Sequence, residues 1–214
     1  MAPRENPATR VRLVETAATL LWQRSYGSAG VDDLCRAANA RKGSFYHFFP
    51  GKADLAIAAI QFQWETTRRE VFEPVRETSP PGLERLTKLL ERADDVQRRA
   101  FRDKLVFLGC PFASLGQELA HRDPRIRSAV LTIFDNHCQF LHSWLDEAER
   151  SRQIVAGDNR ARARQVFALF EGALLMAKVA ANPEVFLEIC AAFPAIAGRT
   201  AAFSTRSSAI PELL

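Results

Sequence analysis

Apolar side chains recur every three or four residues along most of this 214-residue chain, the spacing of helices that bury one face. Val11, Val14, Ala18 and Leu21 form the first such stripe. Tyr26-Gly27 supplies its stop, because glycine takes the left-handed backbone that a helix C-terminus often needs. Gly30 is placed to cap a second helix, with Asp32 and Asp33 favourable at its positive end and Val31, Leu34 and Ala38 facing inward. Asn39 comes next, a residue that tolerates the left-handed turn nearly as glycine does. The third helix is short, from about Lys42 to Phe49, and Pro50-Gly51 closes it.

Lys52 then opens a longer helix reaching about Phe72, with breaks at Pro74 and over the TSPPG stretch at 78–82. Further helices are expected over about 83–104, 112–120, 125–150 and 160–181, and a last one from Pro183 to about Ala192. Strand-like alternation and internal repeats are absent, so the fold class is all-α: an N-terminal helix-turn-helix domain followed by a larger helical domain. The expected division is 1–52, then 53–198, with a loose tail over 199–214.

Composition changes this picture little. Hydrophobic residues make up 47% and charged residues 25%, ordinary values for a globular chain. No apolar run approaches the ~20 residues that span a bilayer, and MAPRENPATRVR lacks a signal-peptide core, so a cytoplasmic location is expected. Cys35, Cys110, Cys138 and Cys190 are widely spaced without a CxxC pair, and no disulfide is expected of them. Net charge is +4, but its distribution is uneven: residues 1–60 hold eight Lys/Arg against five Asp/Glu, and the remainder is nearly balanced. The excess lies where a phosphate-facing surface would need it.

The stretch RKGSFYHFFPGK, residues 41–52, carries the sharpest chemistry. Phe45, Phe48 and Phe49 share one face at i, i+3 and i+4, while Lys42, Ser44, Tyr46 and His47 lie largely off it. That is the division a recognition helix needs, with one face buried and the other presented to a major groove. Ser44 and Tyr46 can donate to phosphates or base edges, His47 can donate in either protonation state, and Lys42 supplies charge. Gly43 lets the helix start approach a DNA backbone closely, and Lys52 adds a phosphate contact beside the exposed amides of its own helix.

Taken as an ordered set, these features resemble the DNA-binding domain of the TetR family of transcriptional regulators over residues 10–60. The matching pieces are a first helix ending in Tyr26-Gly27, VDDLCRAA as the second helix, and KGSFYHFF followed by Lys52. The resemblance implies that Arg41, Lys42, Gly43, Ser44, Tyr46 and His47 face DNA and that Lys52 binds phosphate. It also implies a cytoplasmic homodimer, usually a repressor, that leaves its operator when a small-molecule effector binds the C-terminal domain. Three positions depart from the family pattern: Asn39 for a turn glycine, Arg41 for a small hydroxyl residue, and Gly30 for a Ser or Thr cap.

The remaining three quarters must then dimerise and hold the effector. Family members pair their last two long helices, which points to Phe167, Leu174, Lys178, Phe186 and Ile189 as interface residues. Trp64, Phe107, Cys110, Phe112, Phe134, His137, Trp144, Phe170 and Met176 are the ligand candidates, with Phe101 and Leu115 behind them, although aromatics at helical spacing more often form core. Cys110 stands just before Pro111 at a helix start, where the positive end favours a thiolate; the family resemblance allows a redox- or electrophile-sensing role there, although a free cysteine more often packs in the core. His137 and His142 are five apart and do not share a face as metal ligands would, so neither a metal nor a cofactor is expected. The histidines are scattered and no acid/base pair stands out, so the chain is expected not to be an enzyme. The leading expectation is a homodimeric, effector-released repressor on a near-palindromic operator, with a Cys110 sensor or a protein-only helical adaptor as alternatives.

Overall fold

The computed structural model describes residues 7–104 and 107–200, and these fold as helices. In chain order they are α1 (Pro7–Gln23), α2 (Val31–Ala37), α3 (Lys42–Phe48), α4 (Lys52–Thr67), α5 (Glu73–Thr78), α6 (Leu83–Lys104), α7 (Pro111–Leu119), α8 (Pro124–Arg150), α9 (Asn159–Ala180), α10 (Glu184–Cys190) and α11 (Phe193–Ile196). A π-helical turn, Arg68–Phe72, joins α4 to α5. Among the described residues the extended backbone pairs only at one isolated bridge, between Ile154 and Arg199. The all-α expectation is met.

The chain condenses into two compact units. The first comprises Met1–Glu70 with Leu108–Asp135, the second Val71–Phe107 with Asn136–Leu214. Compactness therefore groups α7 and the start of α8 with the N-terminal helices, a different cut from the sequence-based division at residues 52 and 53.

In the first unit α1 packs against α2, α3, α4 and α7. Its buried stripe is Leu13, Val14, Ala17, Ala18 and Leu21, which meets Leu55, Ala56, Ala59 and Ile60 as the apolar face of α4. Val11, expected in that stripe, is instead 50% exposed. The period allows either start, and Leu13 and Ala17 move the inward face round by one position.

The expected glycine stop is also corrected. Helix α1 ends at Gln23, three residues before Tyr26, and Gly27 does not take a positive φ. Its reason to be glycine is room, because a Cβ there would lie 3.1 Å from Glu118 Oε1. Asn39 does behave as expected, at φ 48°, and Ala40 N–H closes the turn onto Cys35 O at 2.9 Å.

In the second unit α9 packs on α10 and α11, and α6 on α5 and α10. Phe72, Val75, Trp144, Leu145, Val166 and Phe186 are fully buried. Arg85 staples this unit: it binds both oxygens of Glu147 at 2.8 and 2.6 Å and donates to Arg76 O at 2.9 Å. Pro74, expected as a break, lies in the first turn of α5, where its missing N–H is no loss, and the chain stays helical to Thr78. The final helical stretch does break, with α10 ending at Cys190 and α11 starting at Phe193. Of the expected loose tail, Thr200 N–H donates to Gln153 O at 3.0 Å, and residues 201–214 lie outside the described residues.

Candidate nucleic-acid interface

Helix α3 is positioned by its phenylalanines. Phe45 is wholly buried and Phe49 nearly so, their rings 6.0 Å apart, while Phe48 is half-buried. The Arg10 guanidinium covers the Phe49 ring at 5.4 Å, and Arg12 Nε donates to Ala38 O at 3.3 Å, tying α1 to the turn that precedes α3. Arg41 is the extended N-cap residue, and its carbonyl accepts from Phe45 N–H at 3.1 Å.

The opposite face is open. Arg41, Lys42, Gly43, Tyr46 and His47 are exposed and Ser44 is half-buried. Tyr46 is 53% exposed, its ring edge-on to Phe45 at 5.0 Å, and His47 is edge-on to Phe48 at 4.9 Å. Nothing lies within 4 Å of a Cβ built on Gly43, so that position offers clear access to the helix start. Five of the six candidates on this stretch are thus exposed, and the buried Phe45 and Phe49 lie against the domain.

Electrostatics at this surface also involve Glu118 and Asp123, which the sequence reading did not single out. Lys42 Nζ pairs with Asp32 Oδ1 at 2.8 Å, and that hydrogen bond holds its pKa above the ordinary lysine value. Asp33 Oδ2 accepts from Gly30 N–H at 3.0 Å, the N3-to-N-cap half of a capping box at the start of α2, while Gly30 has no side chain to make the other half. Lys52, the seventh candidate, is not fully open to solvent. Its ammonium hydrogen-bonds Tyr26 O and lies 3.9 Å from the centre of the Tyr26 ring. Burial pushes its pKa down, with Glu118 and Asp33 pulling the other way. Burial also raises Tyr26, helped by the nearby Asp123 and Glu118 carboxylates.

The ligand candidates fall into both units. In the first, Trp64, Phe112 and Leu115 are buried and Cys110 and Phe134 half-buried. Cys110 is the N-cap of α7, as expected, and its Sγ accepts from Ala113 N–H at 3.4 Å. In the second, Phe107, His137 and Trp144 are buried and Phe101 and Phe170 half-buried. His137 stacks edge-on to Phe72 at 5.2 Å and lies 5.2 Å from Phe167, and Phe72 also meets Phe140 and Trp144. Met176 is 57% exposed, on the outside of α9.

Of the interface candidates, Phe167, Leu174 and Phe186 are buried in their own protomer, Ile189 is half-buried and Lys178 is exposed. The surface of α9 instead presents Leu175, Met176 and Val179, the last 80% exposed, with Leu187 on α10. Gly172, Leu175, Met176 and Val179 fall at i, i+3, i+4 and i+7, one continuous helical stripe. No helix among the described residues is long and apolar enough to cross a membrane.

Two family descriptions match the chain: "Bacterial regulatory proteins, tetR family" over residues 13–59, and "Tetracyclin repressor-like, C-terminal domain" over residues 82–193. The chain belongs to the TetR family. It is a transcriptional regulator and not an enzyme, and the reading as a protein-only adaptor is set aside. The transcriptional regulator AcuR of Cereibacter sphaeroides is 29% identical over 174 residues, covering 80% of this chain and 77% of the relative. The transcriptional repressor DhaR of Mycobacterium sp. (strain GP1) is 25% identical over 178 residues, covering 82% and 85%. Among solved structures, a regulatory protein TetR from Rhodobacter sphaeroides superposes with a TM-score of 0.78 at 27% identity, over 87% of this chain and 97% of that one. The reduced form of Escherichia coli NemR has the same fold, with a TM-score of 0.78 at 23% identity over 90% and 98% of the two chains.

Proposed function

We propose that this TetR-family regulator is a homodimeric repressor that reads a near-palindromic operator with α3 and leaves it when a small-molecule effector binds the C-terminal helices. The observation that carries the reading is the division of α3: Phe45 and Phe49 are buried, and Lys42, Tyr46 and His47 project from the other side beside Arg41. Residues 1–52 act as the reading head, and 53–198 as the dimerisation and effector domain. The exposed stripe of Leu175, Met176 and Val179 with Leu187 suits a self-complementary contact, because a two-fold axis brings the same apolar residues together from both copies. The aromatic group around His137 and Trp144 favours an effector with an apolar body.

The test is enrichment of bound sequences from a random duplex pool by the full-length protein, followed by gel shift. The expected product is two inverted half-sites about 34–36 Å apart, bound by a dimer. Recovery of unrelated sequences, or equal binding to every duplex, sinks the proposal.

A second reading is favoured by one observation. Cys110 caps α7 with its sulfur, and the Ala113 N–H pointing at that sulfur is a donor that stabilises a thiolate. In this reading the Cys110 thiolate attacks an electrophile, or is oxidised by an oxidant such as a peroxide, and the operator is released. If Cys110→Ser leaves electrophile-driven release unchanged, Cys110 is not the sensor.

A further inference from the structure

Within the first unit, three contacts tie the N-terminal helices to the segment 108–135. Trp22 Nε1 donates to Gly109 O at 2.9 Å, and Arg125 Nη1 donates to Asp54 Oδ1 at 2.8 Å. The third contact uses both oxygens of one carboxylate: Glu118 Oε2 accepts from Tyr26 N–H at 2.8 Å and Oε1 from Gly27 N–H at 2.7 Å. A carboxylate held by two separate donors has its plane fixed, and charge-assisted bonds of this length are strong ones.

The peptide group between Tyr26 and Gly27 is shared. Its N–H faces Glu118, and its carbonyl accepts from the Lys52 ammonium. A cation and an anion therefore stand at opposite ends of one peptide dipole, each strengthening the other's hydrogen bond. Gly27 makes the approach possible, since a Cβ there would crowd Glu118 Oε1 at 3.1 Å while its backbone φ is one any residue adopts.

We infer that Glu118 of α7 is a positioning residue for DNA reading: through the Tyr26–Gly27 peptide it holds Lys52 where it meets a phosphate. This rests on the DNA-binding reading above. The inference has a sign opposite to simple electrostatics. Removing a negative charge beside a DNA-binding surface ordinarily tightens binding and leaves its salt dependence intact. Loss of the peptide clamp does the reverse.

The experiment compares wild type, Glu118→Gln, Lys52→Ala and the double variant, with Gly27→Ala as a second way to disturb the same contact. The probe is the operator enriched from the random duplex pool, titrated across a salt series. Glu118→Gln is expected to bind about a hundredfold more weakly, about tenfold for the charge-assisted hydrogen bond in each head of the dimer. Its log–log salt slope should be shallower by about 1.8, the loss of one phosphate contact per head in a dimer. Lys52→Ala should add little on top of it, and Gly27→Ala should shift affinity and slope the same way. Glu118→Gln binding as tightly as wild type or tighter, with an unchanged slope, overturns the inference; so do additive effects of Glu118→Gln and Lys52→Ala. Should Glu118→Gln lose its helical circular dichroism, the Gly27→Ala slope decides alone. A wild-type chain that enriches no sequence removes the DNA-binding reading first, a failure distinct from that of Glu118.

Discussion

Replacing Lys42 by alanine offers a clean view of the reading head. The ammonium stands 2.8 Å from the Asp32 carboxylate with 56% of its side chain exposed, and α3 keeps its buried Phe45 without it. The substitution therefore removes charge and leaves the packing in place. Each phosphate neutralised contributes about 0.9 to the log–log slope of affinity against salt, and a dimer presents two copies, so the slope should fall by about 1.8. Between about 50 and 200 mM salt the wild-type protein should then lose about tenfold more affinity than the variant. Fluorescence anisotropy with the enriched operator measures both slopes. Asp32→Asn is the companion: it frees Lys42 from its carboxylate, so it should tighten binding to random duplex without flattening the slope. A Lys42→Ala slope within about 0.5 of wild type would falsify a phosphate role for this residue.

Arg85→Ala should destabilise the protein by about 2–3 kcal/mol, less than a fully buried pair because both side chains keep some solvent. A cycle with Glu147→Ala, followed by urea unfolding, should show coupling of about 1–2 kcal/mol; additive losses would mean that the staple at 2.6–2.8 Å does not act as a pair. Val179→Asp, at 80% exposure, should cost the monomer fold nothing and convert the proposed dimer to monomer in sedimentation velocity; an intact dimer moves the interface elsewhere. Asp158 accepts from Ala161 N–H at 2.9 Å at the start of α9, and that bond holds its carboxyl below the usual range. A depressed folded pKa means stability present above the unfolded value and lost as pH falls. The Tm advantage of wild type over Asp158→Asn should therefore shrink below about pH 4, and a constant difference refutes the linkage.

The helix-turn-helix was legible because its information is local. Buried Phe45 and Phe49 and exposed Lys42, Tyr46 and His47 lie within eight consecutive residues, α3 and its C-cap, where spacing alone separates the faces. Asn39 signalled its left-handed turn by residue type, and Pro111 marked the start of α7 with Cys110 as its cap. Glu118 was not legible: its partners lie more than ninety residues earlier, and nothing near it in sequence points to them. The faces of α9 were not legible for another reason. That helix carries apolar residues nearly all round, so periodicity cannot tell the face that meets its own core, Phe167 and Leu174, from the face at the surface, Leu175 and Val179.

The starts of α2 and α3 carry opposite signs. Asp32 and Asp33 open the one, and Arg41 and Lys42 flank the start of the other, within a single small head. The Asp32–Lys42 pair at 2.8 Å joins the two signs into one local contact. On the proposed DNA reading, a phosphate approaching α3 competes with Asp32 for the Lys42 ammonium. Asp32 thereby sets how readily that charge is released to a duplex, a role distinct from the base and phosphate contacts proposed for Tyr46 and His47.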